Sequence, residues 1–169
     1  MRRPVSDEYE LFYEGYVNLT RGSDLLQNLQ DSGDSLLRTL ETMPPEKADF
    51  AYAEGKWTVK QMLRHILDTD TVFLYRALHF ARAGEAELPG FDENAWARKA
   101  RVDHQSLKTL TEDFRLLRNL TINTYRSFDE ATLDQRGKAN GGSFSVLAMG
   151  FITAGHTFHH IHILKERYL

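Results

Sequence analysis

Seven histidines punctuate the chain: His65, His79, His104, His156, His159, His160 and His162. Four of them fall within seven residues near the C-terminus. The spacing that matters is His156 to His160. On a helix, residues i and i+4 lie one above the other on one face, so two imidazoles there can converge on one metal ion. His156 and His159, at i and i+3, offer a second pairing. The stripe Ala148, Ile152, His156, His160 and Ile163 would point into a helical bundle. His159 and His162 then fall toward its flank. Periodicity leaves that assignment open by one helical position.

A catalytic site of the zinc type has three protein ligands and an open position for water. The third ligand must come from another element, and His65 is the best candidate. It is a polar residue between Met62 and Ile66, on a stripe that continues through Thr69 and Phe73. Three nitrogen donors suit Zn, Ni, Cu, Fe or Co, and suit Mg or Ca badly. Asp68 follows His65 by three residues. It stands as a partner for the second N–H of a ligating histidine, as a base on metal-bound water, or as a buried polar residue with no part in the chemistry. Asp70, Arg76 and Glu93 are weaker candidates. Trp96 either closes over the pocket or only anchors its own loop.

Positioning these groups takes four helices. The first runs from about Asp24 to Thr42, with leucines at spacings of three and four, Ser23 as a plausible N-cap and Pro44-Pro45 as its stop. Gly33 weakens its middle. The second opens at Thr58, where Gln61 three residues later completes a capping box and Trp57 with Met62 suits a hydrophobic staple. It runs to a stop at Gly84. The third lies between His104 and Ser127, with Asp103 as cap. The fourth runs from Phe144 to Arg167, capped by Ser143 after a loose glycine-containing stretch from Arg136. No segment between them reads as a strand ladder. The two long connections, Met43 to Trp57 and Glu85 to Asp103, exceed the 2–8 residues usual between bundle helices, and such loops are often functional. Tyr9, Phe12, Tyr13 and Tyr16 suggest a short helix packed on the bundle. The expectation is one domain, residues 1–169, all-α, a four-helix bundle.

Composition narrows the function. The chain has 169 residues, with 41% hydrophobic and 27% charged residues, which suits one globular domain. A net charge of −3 provides no basic footprint for nucleic acid or an anionic membrane. Cysteine is absent, which excludes disulfides, thiolate ligands and a cysteine nucleophile. The most apolar run, Phe144 to Ile152, is far shorter than the roughly 20 residues of a membrane span. The N-terminus has no apolar stretch of the secretory kind, so a cytoplasmic location is the default expectation.

The run Trp57-Thr-Val-Lys-Gln-Met-Leu-Arg-His65-Ile-Leu-Asp68, followed far downstream by Gly155-His156-Thr-Phe-His159-His160, resembles the DinB-like (YfiT-like) superfamily. The segment Leu88-Pro-Gly-Phe-Asp-Glu-Asn-Ala-Trp96 also looks like that family's loop between the second and third helices. The resemblance spans nearly the whole chain. It implies a four-helix bundle, a divalent metal held by His65, His156 and His160, and a homodimer.

Two enzymatic readings follow, because a dication on three neutral imidazoles lowers the pKa of bound water or of a bound thiol. One is a metal-dependent hydrolase acting on an ester, amide or other electrophile. The other is a low-molecular-weight-thiol S-transferase of the bacillithiol type, whose thiol must come from the substrate. Related families resemble both. A third reading is a non-catalytic metal-binding or stress-response binding protein. The expected partners are a small-molecule substrate and a second copy of the chain, with Zn or Ni as the metal.

Overall fold

The computed structural model describes residues 2–83 and 87–169. In chain order the helices are α1 (Glu14–Leu19), α2 (Leu25–Glu41), α3 (Val59–Ala83), α4 (Glu93–Lys99), α5 (Leu107–Arg126), α6 (Glu130–Leu133) and α7 (Val146–Arg167). Three short strands join them: β1 (Glu87–Leu88), β2 (Arg136–Ala139) and β3 (Gly142–Ser145). The four long helices, α2, α3, α5 and α7, form a four-helix bundle. α2 packs on α5 and α7, and α3 packs on the same two, so the successive helices α2 and α3 lie diagonally across it.

Local chemistry sets the helix starts. The capping box at the head of α3 is present: Gln61 N donates to Thr58 Oγ1 at 3.2 Å and Thr58 N donates to Gln61 Oε1 at 2.9 Å. The stop expected at Gly84 lies outside the described residues. The caps of α2, α5 and α7 are Asp24, Ser106 and Ser145, each one to three residues beyond the expected Ser23, Asp103 and Ser143. In each case the observed side chain accepts the backbone N–H three residues on, which satisfies an otherwise orphan donor. Gly33 does not interrupt α2. A Cβ there would stand 2.9 Å from Cγ of Arg118, so the glycine makes room for that side chain.

The expectation of no strand ladder is overturned. The stretch Arg136 to Ser145 is an antiparallel hairpin whose register pairs Ala139 with Gly142. Its two-residue turn is Asn140-Gly141, with φ of 53° and 77°. Two consecutive positive φ values match the right-handed twist of a hairpin, and Asn-Gly is the strongest short signal for it. β1 adds in parallel to β2. The long connection after α3 is also not bare loop, since Asp92 caps the short helix α4 by accepting from Ala95 N at 2.9 Å.

The apolar core falls into two clusters. One gathers Leu25 and Leu29 of α2, Phe73, Ala77 and Phe80 of α3, Ile122 and Tyr125 of α5, and Val146 to Ala154 of α7. The other gathers Leu36 to Leu40, Val59 to Leu67, Leu110 with Phe114, and Ile161 with Leu164. Their order along each helix shows that α2 and α7 run one way and α3 and α5 the other. On all four helices the residues between the two clusters include buried polar ones: Ser32, Thr69 with Asp70, Arg118 with Thr121, and His156 with Thr157 and His160. The bundle therefore carries a polar layer across its middle. No helix among the described residues is long and apolar enough to cross a membrane.

Candidate metal centre

His65 sits in the first half of α3, His156 lies at the middle of α7 and His160 one turn beyond it. Because these helices are neighbours running in opposite directions, the three levels coincide. Nε2 of His156 lies 3.2 Å from Nε2 of His65 and 3.0 Å from Nε2 of His160. All three residues are buried. Among the described residues, these three form the one cluster of candidate ligands, with one donor atom from each within 4.8 Å of the others.

The donor chemistry fits a divalent metal. Burial, and then the neighbouring His156, push the His65 pKa from 6.5 down to about 3. The same two causes, with His65 adding to them, hold His160 well below the ordinary value. At neutral pH these two rings are uncharged, which is the form in which imidazole presents a lone pair to a metal. Neutral rings with converging Nε2 atoms cannot all satisfy one another, since a single N–H serves at most a neighbour or two. His65, His156 and His160 would together hold a dication, which would accept the lone pairs that the rings cannot satisfy among themselves.

The ring atoms facing away are held less completely. Nδ1 of His65 is 3.5 Å from Thr69 Oγ1. Nδ1 of His156 and Nδ1 of His160 are buried and have no hydrogen-bond partner among the described residues. Oδ1 of Asp70 shares that condition and stands 3.8 Å from Nδ1 of His156. The other Asp70 oxygen accepts from Arg118 Nη2 at 2.8 Å, and Arg118 also donates to Thr157 Oγ1, Ser32 Oγ and the Leu29 carbonyl. This network is the polar layer of the bundle, and it ends on a candidate ligand.

Asp68 is not part of it. That carboxylate is half-buried in an i,i+4 ion pair with Arg64, at 2.7 Å, on the flank of α3. Spacing from His65 favoured Asp68, but the residue facing both α5 and α7 is two positions further on. His159 is half-buried beside the cluster and makes edge contact with Tyr16, while His162 and His104 are exposed and His79 is half-buried against Tyr75.

The histidines floor a cavity of about 530 Å³. Its walls come from elements that the sequence reading treated as packing or as loop. Tyr13 and Tyr16 line it from the N-terminal segment, and Tyr16 meets His156 edge-on with ring centroids 5.5 Å apart. Trp57, expected as a staple, tilts over His65 at 4.7 Å. Phe91, Glu93 and Asn94 reach the cavity from the long connection. Trp96 does not: it is 43% exposed and packs on Phe91, so it anchors the loop and closes nothing. α1 can lie this close because Gly155 is bare. A Cβ there would stand 2.0 Å from the carbonyl oxygen of Tyr16, a backbone atom that cannot swing aside.

Bundle and site together define a helical protein with a buried three-histidine cluster opening onto a pocket. The sequence model of the DinB superfamily matches residues 28–164, and the chain belongs to that superfamily. A curated relative from Oceanobacillus iheyensis, named "Putative metal-dependent hydrolase", is 29% identical over 73 residues, covering 43% of this chain and 42% of that protein. The match thus spans less than half the length of that relative. Among solved structures, YfiT from Bacillus subtilis, described as "a probable metal-dependent hydrolase with an unusual four-helix bundle topology", is similar with a TM-score of 0.73. The match covers 84% of this chain and 82% of that one at 19% identity, a likeness of fold.

Proposed function

We propose that this protein is a divalent-metal-dependent enzyme acting on a small molecule, with hydrolysis as its reaction. The observation that carries the reading is the set of three convergent, buried imidazoles at the floor of a cavity, with no fourth metal-ligating side chain in the cluster among the described residues. Structural zinc sites are closed by four protein ligands, whereas catalytic ones keep a position for water or substrate. The cavity volume is that of a small-molecule site. The names given to the Oceanobacillus iheyensis and Bacillus subtilis proteins support the same reaction.

In this reading His65, His156 and His160 hold the metal through Nε2. When bound, the ion supplies Lewis acidity and lowers the pKa of a water or thiol that reaches it. The chain's own residues do the rest. Asp70, fixed by Arg118, directs the His156 ring. Trp57, Tyr16 and Phe73 wall the histidines with aromatic surface, which limits water and strengthens every electrostatic contact inside.

The test is elemental analysis of the tag-free protein beside His65→Ala, followed by turnover assays on chromogenic esters and amides. About one equivalent of Zn, Ni or another transition metal, lost in the variant together with hydrolysis, supports the proposal. A parallel arm offers bacillithiol with an electrophile. Thiol consumption without ester or amide hydrolysis would replace the reaction with S-transfer on the same ligands. No metal after reloading with Zn or Ni would overturn both and leave a binding role.

A further inference from the structure

Two arginines are buried in the bundle, and they are provided for very differently. Arg118 donates to four acceptors, one of them the Asp70 carboxylate. Arg76 is equally buried, at 3% exposure, yet among the described residues its guanidinium meets only neutral acceptors: Nη2 donates to the Pro89 carbonyl at 3.0 Å, and the Tyr13 phenol oxygen lies close enough to accept as well. The guanidinium sits over the Phe91 ring at 5.8 Å. Among the described residues no carboxylate lies within ion-pair distance of it. Burial pushes its pKa down, with the nearby Tyr13 phenol opposing the shift. A guanidinium has five N–H donors in a fixed fork and stays protonated, so burying one without an anion is costly.

Arg76 lines the same cavity as the three histidines. It follows His65 by eleven residues on α3, which is close to three full turns. The two therefore share a helix face, about 16 Å apart along the axis at 1.5 Å per residue. Thr69 and Phe73 lie on the stretch between them and also line the cavity. The cavity thus has a metal-ligating end and a cationic end, and apart from Thr69 the lining is made largely apolar by Phe73, Phe144 and Ala139.

We propose that Arg76 binds the carboxylate of a substrate whose reacting bond lies at the histidine end. This deepens the proposed function and rests on it for the location of the chemistry. A carboxylate is favoured over a phosphate by the charge of the lining. One guanidinium matches a carboxylate with two parallel N–H···O bonds, while Glu10 and Glu93 on the same cavity repel a dianion. The substrate is accordingly a monoanionic molecule with an apolar middle, shorter than the span between the two ends.

The experiment measures binding of 4-phenylbutyrate, 4-phenylbutyramide and phenyl phosphate to the purified full chain by ligand-observed NMR. It uses the protein as isolated and again after chelation, with metal content measured on the same samples. The expected result is carboxylate binding at least about tenfold tighter than the amide, persisting after chelation, and weakened about tenfold or more in Arg76→Gln, the range of a charge-assisted hydrogen-bond pair. Arg76→Lys should retain part of the affinity, since it keeps charge without the fork. Equal binding of carboxylate and amide by the wild type overturns the proposal whether or not the variants fold. So does carboxylate binding that vanishes with the metal, tighter binding of phenyl phosphate, or no binding of 4-phenylbutyrate at millimolar concentration. Metal stoichiometry decides the histidine reading separately, so failure of one is distinguishable from failure of the other.

Discussion

Oδ1 of Asp70 stands 3.8 Å from Nδ1 of His156, and neither buried atom has a hydrogen-bond partner among the described residues. The distance is too long for a hydrogen bond, but the pairing has a direction. A carboxylate beside Nδ1 favours the tautomer with its proton there, which leaves the Nε2 lone pair for a metal.

Asp70→Asn should therefore weaken metal binding by about 10–100-fold, the range for loss of such a partner. Competition with a chromogenic chelator measures it. Asp68→Asn is the contrast: its ion pair with Arg64 is half-exposed, metal affinity should not change, and stability should fall by less than about 1 kcal/mol. Equal effects of the two variants would remove Asp70 from the site.

Arg118 is the counter-charge of Asp70 at 2.8 Å, with both side chains almost fully buried. Arg118→Met leaves a buried carboxylate uncompensated and should cost about 3–5 kcal/mol of stability. Replacing the pair by apolar residues, Asp70→Leu with Arg118→Met, should recover much of that loss, because the price of the pair is mainly desolvation. Urea unfolding of the metal-free proteins reads both. A double variant no more stable than Arg118→Met would show that the network's other hydrogen bonds dominate.

His160→Ala should abolish stoichiometric metal while far-ultraviolet circular dichroism retains most of the helical signal, because α7 is built mainly on apolar contacts from Val146 to Leu164. His159→Ala should keep the metal, since that ring lies beside the cluster and outside it. Full metal retention in His160→Ala would refute the ligand set.

The pH dependence of the metal-free chain has a definite sign. His65 titrates at 6.5 when unfolded and at about 3 when folded, with burial the largest cause. Between those values the unfolded state binds more protons, so stability falls as pH drops through that window. Chelated wild type should lose more stability from pH 7 to pH 5 than chelated His65→Leu does. Equal losses would show that the ring is not buried neutral in solution.

Helical period, the Thr58–Gln61 capping box and the i,i+4 pair His156–His160 are local facts, and each was legible along the chain. A polar residue on an apolar stripe was enough to single out His65. Hairpin and cap positions were legible in principle: Asn140-Gly141 carries the turn signal, and Ser145 is as good a cap as Ser143. Choosing between equivalent caps takes the register of the strands that precede them. Asp70 was different. Its value lies in facing α5 and α7 at once, and no spacing along α3 reports which side of that helix meets two neighbours. Trp57 and Tyr16 joined the cavity wall for the same reason, since apolar residues look alike in sequence whether they fill a core or border a pocket. The sequence by itself determined the helices and the donor types. Only the tertiary packing, with α3 and α7 antiparallel and α2 diagonal to α3, decided which polar groups share a level and which of them are left without a partner.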